Sequence, residues 1–148
     1  MDRTDSFTPC VRVGFVRRRL ELIVIALVFA SIDISYKLAT PADYHHARSR
    51  FVALAIIAVV LGLVVLVPRV PSRVAIFGAA IATGGALGNL VSLFVWQQGV
   101  PDPLVVQGAT HGIAFNLADV FAFTGDVLML SAVVVHGLRH RARLRERV

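Results

Sequence analysis

Cysteine is almost absent from the sequence, and its histidines are not arranged as metal ligands. The single thiol, Cys10, allows no internal disulfide and indicates no metal cluster. None of the five histidines has a partner at ligand spacing on an apolar helix, which disfavours a metal site. They are His45, His46, His111, His136 and His140. The adjacent pair His45 and His46 is typical of a solvated loop. The sequence therefore predicts no metal and no cofactor.

Charged residues are missing from long stretches of the chain, and these stretches are apolar. Of 148 residues, 57% are hydrophobic and the mean hydropathy is +0.76, well above the apolar character of a soluble globular domain. Four apolar blocks, 20–38, 51–67, 74–96 and 112–138, are each near or above the roughly 20 residues that a membrane-spanning helix needs. We predict an all-α fold, an integral membrane four-helix bundle formed by one transmembrane domain over residues 1–148.

Arginine placement predicts how the helices cross the membrane. Short cytoplasmic flanks retain positive charge, and arginines cluster in the N-terminal flank, in the turn between the second and third blocks and in the C-terminal tail. Examples are Arg17, Arg18, Arg19, Arg69, Arg73, Arg139 and Arg147. Both termini are therefore expected to be cytoplasmic, in a multi-pass protein of the cell membrane. The net charge of +6 then reflects topology and contact with anionic lipid, which argues against nucleic-acid binding.

Polar and charged residues interrupt the apolar blocks near the predicted outer face of the membrane. Asp33 and Lys37 lie near the outer end of the first helix, Asn89 near that of the third, and Asn116 and Asp119 near the start of the fourth. At 1.5 Å per residue, Asp119 is expected on the order of 10 Å below the outer boundary. An ionisable side chain at such a depth costs about 2.5–3.5 kcal/mol, so these residues are expected to face a bundle interior or a wet cavity and to mark function.

Each of these residues also has a purely structural interpretation. Asp33 and Lys37 have the i, i+4 spacing of a self-neutralising helix pair. Asn116 suits a helix cap or a bridge between helices. Asp102, between two prolines in "GVPDPLVV", suits an ordinary turn. For Asp119 the structural interpretation is weaker, since its neighbours in the sequence offer no counter-charge.

Two further features of the blocks concern packing and depth. Gly84 and Gly88 are four residues apart in "GAAIATGGALGN" and allow another helix to approach closely, so packing alone is the favoured explanation for them. Asp126 shares a helix face with Asp119, seven residues deeper, and its role stays open.

A carboxyl pair is possible if Asp102 folds back over the bundle and meets Asp119. Two carboxyl groups within a few ångströms do not both ionise easily, so they share one proton. One group then acts as a base toward water, and the other as an acid toward a carbonyl or a leaving amine. This is the chemistry of an aspartic peptidase, which uses no metal, nucleophilic serine or cofactor.

Three segments, "GGALGNLVSLF", "GVPDPLV" and "FNLADVFAFTGDVLML", resemble in order and spacing those of lipoprotein signal peptidase, also called signal peptidase II. "SIDISYKLA" is similar to that family's Asp-to-Lys motif. The resemblance implies an aspartic endopeptidase that removes the signal peptide from a lipidated prolipoprotein, cutting before the lipidated cysteine. It implies that Asp102 and Asp119 are the catalytic dyad. It also implies four substrate-binding or supporting residues, namely Asn89, Asn116, Asp33 and Lys37.

The chain departs from the family pattern in three places. Ser92-Leu93 stands where the family has an Asp-Arg pair, and Pro103 follows Asp102 in place of an aromatic or aliphatic residue. The connection "TPADYHHARSR" is shorter than the one in which the family places its extracytoplasmic platform.

Two other functions are compatible with the sequence. One is a non-catalytic protein of the same fold that binds lipid-modified peptides or a membrane partner. The other is a small transporter with Asp119 as its protonatable site, which the absence of an inverted repeat disfavours. The enzyme is expected to require both Asp102 and Asp119, to act as a monomer, and to have lipidated prolipoprotein and membrane lipids as its partners.

Overall fold

The computed structural model describes residues 9–47, 49–108 and 112–145; His111 and Arg147, named above, lie outside these ranges. Within them the main elements are α1 (Pro9–Ala39), α2 (Arg50–Leu66), α3 (Arg73–Val95) and α4 (Leu117–Arg145). Each of these helices contains a stretch long and apolar enough to cross a membrane. The prediction of an all-α membrane bundle with four spanning helices is confirmed.

We call the end of the bundle where α1 and α3 finish and α4 begins the loop end. Short strands pair there, in the connections that follow α1 and α3. β1 (His45–His46) pairs antiparallel with β2 (Val100–Pro101), so the connection after α1 is tied to the connection after α3. β3 (Leu104–Gln107) pairs antiparallel with β4 (Gly112–Phe115). At the opposite end, the 3-10 turn Val67–Arg69 links α2 to α3.

The start of α4 differs from the sequence prediction. Residues 112–115, which the apolar pattern assigns to the fourth helix, form β4 instead. The helix starts later because the Asn116 Oδ1 accepts from the backbone N–H of Asp119 at 3.1 Å, while the Asp119 Oδ2 accepts from the backbone N–H of Asn116 at 3.3 Å. These reciprocal bonds form a capping box, which fixes a helix start. Asp119 therefore lies in the first turn of α4. The predicted depth of about 10 Å below the outer boundary assumed a helix from residue 112, so it does not apply.

α3 is the central helix, and its glycines set how closely the neighbouring helices approach. A Cβ on Gly84 would lie 2.8 Å from the carbonyl oxygen of Ala26 in α1, and a Cβ on Gly85 would lie 2.8 Å from the backbone nitrogen of Ala122 in α4. A larger residue at either position would force the helices apart, because a backbone atom does not move aside as a flexible side chain does. The predicted close approach of another helix is confirmed, and it occurs on both sides of α3.

The apolar core lies toward the end of the bundle opposite the loops. Leu22 of α1, Val67 of the 3-10 turn and Ala75 of α3 are buried together there. Further along the bundle, the rings of Phe29 and Phe121 join α1 to α4 edge to face, with centroids 4.8 Å apart. Beyond these rings, the loop end is packed with polar side chains.

Candidate active site

The first part of the site is an ion pair within α1. Asp33 and Lys37 are one helical turn apart, and the Lys37 Nζ donates to the Asp33 Oδ2 at 2.7 Å. Neither side chain is exposed to solvent. A buried charge is costly unless it is paired and hydrogen-bonded. The two charges therefore neutralise each other, as their spacing predicted.

Lys37 also connects α1 to α3. Its Nζ donates to the Asn89 Oδ1 at 2.9 Å and to the Ser92 Oγ at 3.1 Å, so three acceptors match the three N–H bonds of the ammonium group. Ser92 in turn donates to the carbonyl oxygen of Gly88 at 2.7 Å. Gly88 makes room for this arrangement, since a Cβ there would lie 2.5 Å from the Asp33 Oδ2. The ion pair thus lies directly against the polar face of α3.

Asn89 extends the network from α3 to α4. Its Nδ2 donates to the Asp119 Oδ1 at 2.8 Å, while its Oδ1 accepts from Lys37. Accepting from an ammonium group polarises the amide and makes its N–H a stronger donor. Asp33 reaches α4 separately, because its Oδ1 accepts from the backbone N–H of Ala118 at 2.8 Å. That N–H has no partner within its own helix, so an acid of α1 binds the N-terminus of α4.

Asn116 is hydrogen-bonded to both acids of the predicted dyad. It shares the capping box with Asp119. Its Nδ2 also donates to the Asp102 Oδ1 at 2.6 Å, and its side chain is fully buried. One asparagine therefore caps the helix with its oxygen and binds Asp102 with its nitrogen, so it acts as both a cap and a bridge.

Asp102 is fixed by contacts with three residues from two segments of the chain. Its backbone N–H donates to the carbonyl oxygen of Tyr44 at 2.9 Å. Its Oδ1 accepts from Asn116, and its Oδ2 contacts the Nδ1 of His46 on β1. The side chain is fully buried. An aspartate is rarely buried completely unless its carboxyl group is paired, so a turn alone does not account for the burial of Asp102.

All six residues that the sequence singles out belong to one hydrogen-bond network. In order along the network they are Asp102, Asn116, Asp119, Asn89, Lys37 and Asp33. Asp126 is exposed on α4 and lies outside this network of described residues. The network therefore holds three carboxyl groups and one ammonium group at the loop end.

Sequence reasoning missed two members of the network. Ser92, a departure from the family pattern, accepts a hydrogen bond from Lys37. Its position three residues after Asn89 places both side chains on one helix face, which is a signal in the sequence that they share a site. His46, interpreted as a solvated loop residue, contacts Asp102 although its side chain is 60% exposed. No sequence signal reveals that contact, because it joins residues 56 apart through strands too short to show a period.

Comparison with known protein families matches residues 34–135 to the family described as Signal peptidase (SPase) II. The matched span is more than two thirds of the 148 residues. The chain belongs to the signal peptidase II family. Family membership implies a protease, and the family acts on lipoprotein substrates in membranes. A search of curated proteins finds no match.

The structure shows what replaces two features of the signal peptidase II pattern. At the first, Ser92 accepts a hydrogen bond from Lys37 in a position where the family has an acid. At the second, the short connection after α1 pairs through β1 with β2, next to Asp102. The longer strands, β3 and β4, lie in the connection after α3.

Proposed function

We propose that this chain is a membrane-embedded aspartic endopeptidase with Asp102 and Asp119 as its catalytic dyad. The observation that carries the proposal is the position of Asn116, which is hydrogen-bonded to both acids. Two carboxyl groups bound to one small residue are held at the same place at the loop end. Membership of the signal peptidase II family supports the same assignment.

The charges of the network favour a proton shared by the two carboxyl groups. Among the described residues, the network holds the carboxyl groups of Asp33, Asp102 and Asp119 and the ammonium group of Lys37, which donates to Asp33. With both ionised and His46 neutral, a negative charge on the fully buried Asp102 and another on the half-buried Asp119 would lie on either side of Asn116, which is unfavourable. One proton retained by the pair removes one of these charges. A carboxylate and a carboxylic acid side by side are what peptide hydrolysis needs.

In the proposed reaction, the ionised carboxyl group takes a proton from a water molecule as the water oxygen attacks the carbonyl carbon of the scissile bond. The protonated carboxyl group donates to the carbonyl oxygen, and a tetrahedral diol forms. The carboxyl group that took the proton from water then gives it to the leaving nitrogen as the C–N bond breaks, and the other carboxylate takes a proton from a diol hydroxyl as the new carboxyl group forms, which restores the shared proton. Asn89 and Asn116 hold the two acids in place during these steps, and Lys37 fixes Asn89.

The proposed substrate is a lipidated prolipoprotein that is cut before its lipidated cysteine. Strands β3 and β4 present apolar side chains outward, close in sequence to Asp102: Val106 is 58% exposed, and its cross-strand partner Ile113 is 69% exposed. Exposed apolar patches of this kind mark interaction with a membrane or an apolar ligand. A substrate anchored by acyl chains fits such a surface.

We propose further that the loop end faces the outside of the cell membrane and that both termini face the cytoplasm. Arg17 and Arg73 line one pocket at the end opposite the loops. Arg69 lies over the ring of Phe15, 5.7 Å from its centroid. The arginines of α1 and of the α2–α3 turn thus share one end, and the positive-inside rule assigns that end to the cytoplasm.

Cysteine labelling tests this orientation in a background that lacks the native thiol, Cys10→Ser. A membrane-impermeant maleimide added to intact cells is expected to label Gln107→Cys at the loop end and to leave Arg141→Cys unlabelled until the cells are lysed. Labelling of Arg141→Cys before lysis, with Gln107→Cys protected, would show the opposite orientation.

Cleavage of a lipidated prolipoprotein by the purified chain in lipid vesicles tests the proposed activity. We expect Asp102→Asn and Asp119→Asn each to lower kcat/KM by about 10³-fold to 10⁶-fold, as loss of a member of a catalytic unit does. Asp126→Asn is the matched control, because it removes a carboxyl group from the same helix outside the network. It is expected to keep full activity.

Two outcomes would contradict the proposal. An unmodified chain that is folded and leaves the substrate uncut, beside an active control peptidase, would favour a binding role for lipid-modified peptides. Cleavage that survives both Asp102→Asn and Asp119→Asn would show that the dyad is not the catalytic group.

A further inference from the structure

We propose that His46 is a positioning residue for Asp102, holding that carboxyl group in place from the connection between α1 and α2. The inference rests on the proposed function, since it assigns His46 a part in the dyad's chemistry. It adds to the network a residue that neither the sequence motifs nor the family match singles out.

The backbone brings His46 to Asp102 independently of the side-chain contact. In the pairing of β1 with β2, His46 lies opposite Val100 and His45 opposite Pro101. The strand pair is continued by the bond from the Asp102 N–H to the carbonyl oxygen of Tyr44 at 2.9 Å. The turn before β2 is also shaped to fit, since Gly99 has a φ of +108° and a Cβ there would lie 2.6 Å from the carbonyl oxygen of His46.

The contact completes the hydrogen bonding of the Asp102 carboxyl group. Its Oδ1 accepts from the Asn116 amide, and its Oδ2 is met by the His46 Nδ1. A carboxylate can only accept hydrogen bonds, so Nδ1 carries the proton when Asp102 is ionised. With one donor on each oxygen, the carboxyl group cannot rotate without breaking a bond. Asp119 is held in the same way, by Asn89 on one oxygen and the backbone of Asn116 on the other.

Exposure separates His46 from the other groups that hold the dyad. Its side chain is 60% exposed, whereas Asp102 is fully buried and so is Asn116. Of the two described side chains that contact the Asp102 carboxyl group, His46 is the exposed one and Asn116 the buried one. His45, the preceding residue, has its side chain on the opposite face of β1 and offers a matched control.

Steady-state cleavage of the lipidated prolipoprotein by three variants tests the inference. We expect His46→Ala to lower kcat by about tenfold to a hundredfold with little change in KM, the size expected for one hydrogen bond to a charged group. His46→Gln, which keeps an N–H donor, is expected to recover part of the loss. His45→Ala is expected to behave as the unmodified chain. Equal activity of His46→Ala and His45→Ala would overturn the inference, as would a loss expressed in KM alone.

A spectroscopic measurement tests the same contact without any cleavage. In ¹⁵N-histidine-labelled protein, with the His46 signal assigned by its loss in His46→Gln, the Nδ1 of His46 is expected to be protonated, and its shift is expected to change in Asp102→Asn. A His46 Nδ1 signal that is the same in the unmodified chain and in Asp102→Asn would overturn the inference even if the enzyme cleaves. A chain that cleaves nothing would overturn the proposed function, while this signal would still report whether the pair forms.

Discussion

α2 and α3 are both membrane-spanning helices, yet they differ in what surrounds them. In α3, 67% of the most apolar stretch is buried inside the protein, against 11% for α2 and the turn after it. All residues of α2 are described, and none is buried. The side chains of α2 are mostly large and aliphatic, whereas α3 is rich in glycine and alanine and packs on both α1 and α4. Both helices are hydrophobic, but α3, which has close neighbours, differs from α2 in its small side chains.

The same difference decides where polar groups are found. α3 carries Asn89 and Ser92 in its buried face, where α1 and α4 supply partners. The exposed helix α2 is apolar from Phe51 to its end. A lipid-facing surface offers no hydrogen-bond partners, so a polar side chain there would be unsatisfied. The site is therefore built on the helix that has a neighbour on each side.

The largest effect on stability is expected from removing Lys37, the cation that connects α1 to the buried face of α3. Lys37→Met leaves Asp33 buried without its counter-charge, and we expect a loss of about 3–5 kcal/mol in the free energy of unfolding together with loss of cleavage. Unfolding in detergent followed by circular dichroism measures the first effect. The double variant Asp33→Asn/Lys37→Met is the control, since it removes both charges and is expected to recover part of the stability. An unfolding midpoint unchanged by Lys37→Met would show that the ion pair does not hold the helices together.

Much of the fold follows from the sequence because its dominant signal is local. A run of about 20 apolar residues has few alternatives to a spanning helix. Polar residues in such runs must find partners, so the sequence predicts that Asp33, Lys37 and Asn89 face a bundle interior or a wet cavity. Their hydrogen bonds confirm that they share one network.

The loop end was less predictable because its signals are short or distant. Residues 112–115 are as apolar as a helix, and their pairing with β3 depends on another segment of the chain. Asn116 and Asp119 carry a capping pattern that the surrounding hydrophobic run obscured. His46 meets Asp102 through a two-residue strand, which is too short for any periodicity to show.

Glycine substitutions in α3 and α2 test the difference between the two helices, with a smaller expected effect on stability. A Cβ on Gly85 would press on backbone atoms of α4, while none of the described atoms lies within 4 Å of a Cβ on Gly62 in α2, leaving aside its own helix backbone. We expect Gly85→Ala to lower the free energy of unfolding by about 1–3 kcal/mol through overpacking. Gly62→Ala is expected to leave it unchanged or slightly raised, since alanine favours the helix. Equal unfolding midpoints for the two variants would contradict the different surroundings of α2 and α3.

The smallest expected effect comes from the hydroxyl group that completes the binding of Lys37. Ser92→Ala removes one of three acceptors and leaves Asp33 and Asn89 in place, so we expect a loss of about 0.5–1.5 kcal/mol in stability. Ser31→Ala is the matched control. The Ser31 hydroxyl also donates to the carbonyl oxygen four residues earlier, that of Leu27, at 2.8 Å, but Ser31 is exposed. Both variants lose the same helical bond, and the difference between their unfolding free energies isolates the contact with Lys37. No difference would mean that two acceptors satisfy the buried ammonium group, and that the serine at this position contributes nothing to the site.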